Sequence, residues 1–284
     1  MGRIDKALRR SNVDAGQGTG AETPAAALSP WAVEQQEEPD RPEPKRAPVR
    51  WKGFDEAEAE RLVVSTNAGP MLVEQFRSLA ATLHRAQLEQ PLKSVIVTSP
   101  SPGDGKSYVS VNLALTLSDS YRRRVLLIDA DLRRPSLHLM FGVPNTWGLG
   151  DALTAKTDEK LATVPISETL TLLPAGRPEP NPLGGLSSGR MKRIVAEASS
   201  QFDWVIIDSP PVGVLADAHL VAETVDAAIL VVRAGVTQFQ DLQAAAESMG
   251  QDRILGIVLN AIDPAEIRGQ GYYHQYYGSE SGKR

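Results

Sequence analysis

Five short stretches of almost continuous apolar residues constrain this chain more than any other feature: Ser94–Ser99, Arg124–Asp129, Asp203–Asp208, Asp226–Val232 and Ile254–Asn260. A strand with one wet face alternates apolar and polar side chains. A strand covered on both faces by helices does not, so runs of this kind belong inside a parallel sheet. Thr169–Leu173 is a weaker sixth candidate. Helical stretches near Lys106–Asp119, Ser187–Ser199 and Thr237–Met249 lie between the strands. Before them, Leu72, Phe76, Leu79, Ala80 and Leu83 recur at steps of three and four, which predicts a helix from Pro70 to about Gln87 with proline in its first turn. Strand and helix alternate, so the expected fold is α/β, an open and mostly parallel sheet flanked by helices with right-handed crossovers. Such sheets bind ligands beyond the carboxyl ends of their strands.

The first strand runs into Ser99-Pro100-Ser101-Pro102-Gly103-Asp104-Gly105-Lys106-Ser107, and a helix follows directly. A phosphate-binding loop belongs at this junction, which makes the fold P-loop NTPase-like. Gly103 and Gly105 permit the turns that aim backbone N–H groups inward, Lys106 reaches phosphates, and the Ser107 hydroxyl suits Mg²⁺. Gly103, Asp104, Gly105, Lys106, Ser107 and Tyr108 form the expected nucleotide-binding stretch. The loop is a variant, with Pro100 where the first glycine usually stands.

Two later strands end in carboxylates: Asp129-Ala130-Asp131 follows Ile128, and Asp208-Ser209-Pro210-Pro211 follows Ile207. A single aspartate at a strand end is ordinarily a turn former or a helix cap. Three on the side where the phosphate loop lies point to Mg²⁺ ligation or to a general base toward an incoming hydroxyl. Arg133 and Arg134 directly follow Asp131, with three open readings: phosphate contacts, a neighbouring subunit, or solvated surface.

Composition removes several alternatives. The 284 residues carry 30 Lys+Arg against 35 Asp+Glu, a net charge of -5, which opposes broad nucleic-acid binding. No cysteine is present, so disulfides, thiolate-zinc sites, iron–sulfur clusters and a cysteine nucleophile are excluded. The apolar runs fall far short of the ~18–20 residues that span a bilayer. The opening residues lack the apolar stretch and cleavage site of a secretory signal, so a cytoplasmic location is expected.

The expected organisation has three parts. Residues 1–68 form an N-terminal extension, in which Ile4, Ala7 and Leu8 among basic residues suggest a short amphipathic segment before a flexible Pro/Glu-rich linker. Residues 69–263 form the nucleotide-binding domain, and residues 264–284 a flexible tail. Four of the six tyrosines, Tyr272, Tyr273, Tyr276 and Tyr277, lie in that tail, beyond any expected core. Phenolic hydroxyls on a mobile arm can reach an active site as substrates.

With these motifs in place, the chain resembles the bacterial tyrosine kinases of polysaccharide-export systems, in their free-standing form. The likeness rests on Ser99–Ser107, on Leu126–Pro135 and on Val205–Pro211, with support from Asn181-Pro182 and Gly256–Asn260. It implies binding of ATP and Mg²⁺, and autophosphorylation in trans of Tyr272, Tyr273, Tyr276 and Tyr277. It also implies a ring-shaped homo-oligomer, a membrane-embedded polysaccharide co-polymerase as activator, recruitment to the inner face of the plasma membrane, and a cognate tyrosine phosphatase. Carried onto this sequence, Lys106 and Ser107 hold phosphate and metal, Asp129 is the base, Asp131 and Asp208 position the metal, and Asn260 lies near adenine. Glu74 and Arg77 fall where the family makes its ring contact, with Ala80 in place of a second arginine. Two rivals remain: a partitioning or cell-division switch ATPase, which usually has a lysine where Ser101 stands, and a nucleotide-binding regulatory scaffold.

Overall fold

The computed structural model describes residues 51–54, 62–65, 68–155 and 161–262. The N-terminal segment and the tyrosine cluster Tyr272–Tyr277 lie outside the described residues. Seven strands form one sheet in the order β3-β4-β2-β5-β1-β6-β7. They are β1 (Ser94–Thr98), β2 (Val125–Asp129), β3 (Val164–Pro165), β4 (Leu170–Leu173), β5 (Trp204–Asp208), β6 (Ala227–Arg233) and β7 (Ile254–Asn260). Every pairing is parallel except β3 with β4. The five strong runs and the weaker sixth are all strands. β3 was not foreseen, since two residues ending in proline carry no periodicity and proline suits only an edge.

The three central strands β1, β2 and β5 are buried at every position, as near-continuous apolar runs require. One core lies on the face covered by α1 (Pro70–Glu89) and α2 (Lys106–Asp119), the other on the face covered by α6 (Gly189–Gln201), α7 (Asp217–Ala222) and α8 (Phe239–Met249). Short helices α3 (Leu137–Met140), α4 (Leu149–Thr154) and α5 (Leu183–Leu186) lie in the connections after β2 and β4. These four- to six-residue pieces are too short to show a helical repeat in the sequence, and so is α7.

α2 is the central helix, buried from Val109 through Ser118. Its buried polar side chains are satisfied locally: the Thr116 hydroxyl donates to the Asn112 carbonyl, the Asn112 amide donates to the Tyr108 carbonyl, and Asn112 Oδ1 accepts from the Val63 N–H. Trp51, Phe54, Leu62 and Val63 all pack on the same core, with the Trp51 indole N–H donating to the Phe141 carbonyl. The folded body therefore reaches further toward the N-terminus than residue 69.

Candidate active site

β1 ends at Thr98 and α2 begins at Lys106, so residues 99–105 form a compact turn at the carboxyl edge of the sheet. Gly103 (φ +87°) and Gly105 (φ +93°) both adopt left-handed backbone, which a side chain would strain. A Cβ on Gly105 would also overlap the amide of Asn260. No side chain caps α2, so its first turn, which opens with Lys106 and Ser107, turns the positive end of the helix dipole toward the loop. This is a phosphate cradle by construction.

Side chains from distant strands brace the cradle. Asp104 Oδ2 accepts from the Ser101 N–H at 2.9 Å, and Oδ1 accepts from the Thr237 hydroxyl at 2.8 Å. The Asp104 carboxylate thus works inside the loop, tying it together and to Thr237. Asn260, at the end of β7, donates its amide to the Asp104 carbonyl at 2.9 Å. From the opposite side, the Val212 N–H donates to the Ser99 carbonyl at 2.9 Å, and Gly213 approaches the Pro100 carbonyl so closely that a Cβ would collide with it.

The three strand-end carboxylates converge on this cradle. The parallel register places Asp129 beside Asp208 on adjacent strands. Lys106 Nζ is 3.2 Å from Asp131 Oδ2. The Ser107 hydroxyl donates to Asp208 Oδ2 at 2.6 Å and accepts from the Ser136 hydroxyl at 3.1 Å. Ser110 Oγ lies 3.1 Å from Asp208 Oδ1. Asp129 is fully buried: one oxygen accepts from the Asp131 N–H at 3.2 Å, the other from the N–H groups of Ser136 and Leu137 at 3.1 and 3.0 Å.

Crowding sets the protonation states. Burial and the neighbouring Asp208 push Asp129 up to about 8, against the pull of its two backbone bonds from Leu137 and Ser136. Burial and Asp131 likewise raise Asp208, while Lys106 and the two serine hydroxyls oppose the shift. Burial alone would lower the Lys106 ammonium, but Asp208, Asp131 and Asp129 outweigh it and hold it above the ordinary lysine value. The cluster is an ammonium ringed by more carboxylate than it can neutralise, which suits a cation.

Ser110, Ser136, Thr237 and Gly213 were not foreseen. Ser110 stands one helical turn after Ser107, a spacing that places both hydroxyls on one helix face. Thr237 and Gly213 carry no local signal, because each meets the loop only through the sheet order. Arg133, left open between three readings, forms an ion pair with Asp217. Glu74 and Arg77 pair on the surface of α1 at 3.4 Å, and Ala80 is wholly buried in the core, so no charge fits there.

A family model described as the NUBPL iron-transfer P-loop NTPase matches residues 91–282. With no cysteine, this sequence offers no thiolates for an iron–sulfur cluster, so the match bears on the NTPase scaffold. Tyrosine-protein kinase YwqD of Bacillus subtilis is 34% identical over 215 residues, covering 75% of this chain and 90% of YwqD. The chain belongs to the bacterial tyrosine kinases. As a member it is an enzyme of the protein-tyrosine kinase class, with a nucleotide-binding P-loop fold.

Other relatives agree. Tyrosine-protein kinase Wzc of Salmonella typhimurium is 32% identical over 235 residues, which cover 81% of this chain and 32% of Wzc, so the chain spans about a third of that protein. The kinase domain of the Escherichia coli tyrosine kinase ETK has the same fold, with a TM-score of 0.66 at 29% identity over 83% of this chain and 88% of that one. The septum site-determining protein MinD of Pyrococcus horikoshii, complexed with Mg-ADP, shares the fold at a TM-score of 0.52 and 22% identity, over 63% of this chain and 75% of that one. Among the described residues, no helix is long and apolar enough to cross a membrane.

Proposed function

We propose that this kinase uses ATP and Mg²⁺ to phosphorylate Tyr272, Tyr273, Tyr276 and Tyr277 on a second copy of the chain, and that the modification regulates polysaccharide polymerisation or export. The observation that carries the reading is the single hydrogen-bonded cluster of Lys106, Ser107, Asp131 and Asp208 at the mouth of a phosphate cradle.

In this reading the N–H groups of residues 103–108 bind phosphate oxygens, and Lys106 leaves Asp131 to meet the transferred phosphoryl group. The donor set fits Mg²⁺. Among the described residues no three His, Cys, Asp or Glu side chains form a protein cage for a metal. Mg²⁺ bound with a nucleotide instead takes one or two carboxylates and completes its shell with phosphate, water and hydroxyl oxygens. Ser107, Asp131 and Asp208 offer the hard oxygens that would hold the ion, whose charge, when bound, would offset that of the transferred group. Asn260, fixed against the loop through its Nδ2, lies near adenine in this reading.

Asp129 takes the proton of the tyrosyl hydroxyl. Its elevated basicity brings it near the phenol, whose ordinary value is about 10. Both its oxygens are engaged by backbone N–H groups, so the role requires the turn after Asp131 to shift as the acceptor arrives. Glu74 and Arg77, exposed on α1, supply the contact of a ring-shaped oligomer. A membrane co-polymerase acts as activator and brings the kinase to the inner face of the plasma membrane, and a cognate tyrosine phosphatase reverses the modification. The likeness to YwqD and to the solved chimerical protein CapA2B2, at 26% identity and a TM-score of 0.64, supports a kinase of this kind. Incubation with labelled ATP and Mg²⁺, followed by mapping of phosphate to residues, tests the reading: label on the four tail tyrosines is expected, and ATP hydrolysis without protein label would leave a switch ATPase.

A further inference from the structure

Two residues after Asp131, the Arg133 guanidinium turns away from the phosphate cradle. Its Nε donates to Asp217 Oδ2 at 2.6 Å and its Nη2 to Asp217 Oδ1 at 3.2 Å, a two-pronged fork. The remaining nitrogen, Nη1, donates to the Pro180 carbonyl. The Asp217 side chain is 2% exposed, so its charge has no water to rely on and Arg133 balances it.

This fork closes around the turn that carries Asp131. Asp131 Oδ1 accepts from the Arg134 N–H at 3.1 Å, while Oδ2 faces Lys106. The Leu132 carbonyl accepts from the Glu179 N–H at 2.8 Å. The direction of Asp131 Oδ2 therefore depends on the turn of residues 131–134, and Arg133 is the residue within it that reaches outward. Its anchor, Asp217, opens α7, which follows the segment from Asp208 that is itself tied to Ser99 through Val212. Arg133 thus bridges the two strand ends that bear the site's carboxylates.

Resting on the function proposed above, we infer that Arg133 is a positioning residue: anchored on Asp217 and on the Pro180 carbonyl, it holds Asp131 in the orientation that receives the metal. Lysine cannot replace it, because an ammonium has no planar fork to engage both carboxylate oxygens and a carbonyl together. Apolar burial seats the flanking segments independently, with Leu132 2% and Ala218 0% exposed, so loss of the fork frees the turn without unfolding the domain.

The test uses the full chain with Arg133→Lys, with the double variant Arg133→Gln/Asp217→Asn, which leaves no buried charge unpaired, and with each combined with Asp131→Asn. A fluorescent ATP analogue is titrated at rising Mg²⁺, and the thermal midpoint is recorded. Both variants should keep a cooperative melt and wild-type affinity for the analogue without Mg²⁺. They should need about tenfold more Mg²⁺ for half-maximal tightening, the scale of effect seen when a group that orients a metal ligand is lost. In the Asp131→Asn background neither should add a further shift. An unchanged Mg²⁺ requirement, an equal shift in the Asp131→Asn background, or loss of the folded state in both variants would overturn the proposal. Binding is read without tyrosine transfer, so an absence of phosphotyrosine would sink the kinase reading alone, whereas Mg²⁺-independent binding by the wild type would sink both.

Discussion

The Ser107 hydroxyl donates to Asp208 Oδ2 at 2.6 Å, joining the first turn of α2 to the end of β5 across 101 residues of sequence. In the proposed function both atoms hold the metal, so each should matter through Mg²⁺. Ser107→Ala and Asp208→Asn are expected to lower Mg²⁺-dependent ATP turnover by tenfold or more, while Ser107→Thr, which keeps the hydroxyl, retains most of it. Turnover measured at limiting and saturating Mg²⁺ checks this. Full activity of both variants at limiting Mg²⁺ would reduce the pair to a structural bond.

Lys106→Met should weaken nucleotide binding by about tenfold to a hundredfold, the loss of one hydrogen bond to a charged group worth roughly 1.5–3 kcal/mol. The variant also leaves Asp131 without its partner, so some stability should be lost with the affinity. Isothermal titration with ATP and Mg²⁺ reads the first effect and thermal melting the second. Unchanged affinity in a folded Lys106→Met chain would remove the lysine from the phosphate site.

Asp129 makes the free protein sensitive to pH. Its carboxyl is held at about 8 in the fold against 3.8 for the free group, so the folded chain keeps a proton that the unfolded chain releases. The resulting stability is complete below the unfolded value and is lost as pH rises toward 8, at up to about 1.4 kcal/mol per pH unit. Nucleotide-free protein should therefore unfold at lower urea at pH 8 than at pH 5.5. Asp129→Asn should flatten that slope, and an identical slope in the variant would assign the dependence elsewhere.

Glu74 and Arg77 form an exposed pair one helical step apart, worth about 0.2–0.5 kcal/mol within the helix. Exchanging them, Glu74→Arg with Arg77→Glu, keeps the pair within its helix and reverses its face toward a neighbour. Sedimentation velocity should show dispersal of the oligomer with no change in thermal midpoint. A wild type that stays monomeric at every concentration would contradict the assembly.

The sheet was legible because strands buried on both faces advertise themselves: β1, β2 and β5 were placed within a residue of their ends. The phosphate loop was legible because its chemistry is local, with glycines, lysine and serine side by side. Residues that meet only through the fold were not. Asp104 reads as part of the nucleotide-binding stretch, and its bracing role shows only when Thr237, 133 positions away, is brought to its carboxylate. Arg133 reads equally as a phosphate contact, a subunit contact or solvated surface until α7 delivers Asp217. Ala80 reads as a missing charge, yet its helix turns that position into the core, where an arginine would lack water and partner. Trp51 and Phe54 stand singly among polar residues, and the run Leu62-Val63-Val64 is too short to show a period, so nothing marks them as core.

The account stands most directly on transfer of phosphate between two copies of the chain. A Lys106→Met chain carrying a distinguishing tag, unable to use ATP itself, is mixed with active wild-type chain, ATP and Mg²⁺, and phosphate on each is mapped by mass spectrometry. The account predicts phosphate on Tyr272, Tyr273, Tyr276 and Tyr277 of the tagged chain, with most of it lost when all four are changed to Phe and nucleotide binding unaffected. An unlabelled tagged chain beside a labelled wild type, or phosphate found mainly on Tyr108 and Tyr121, would contradict it.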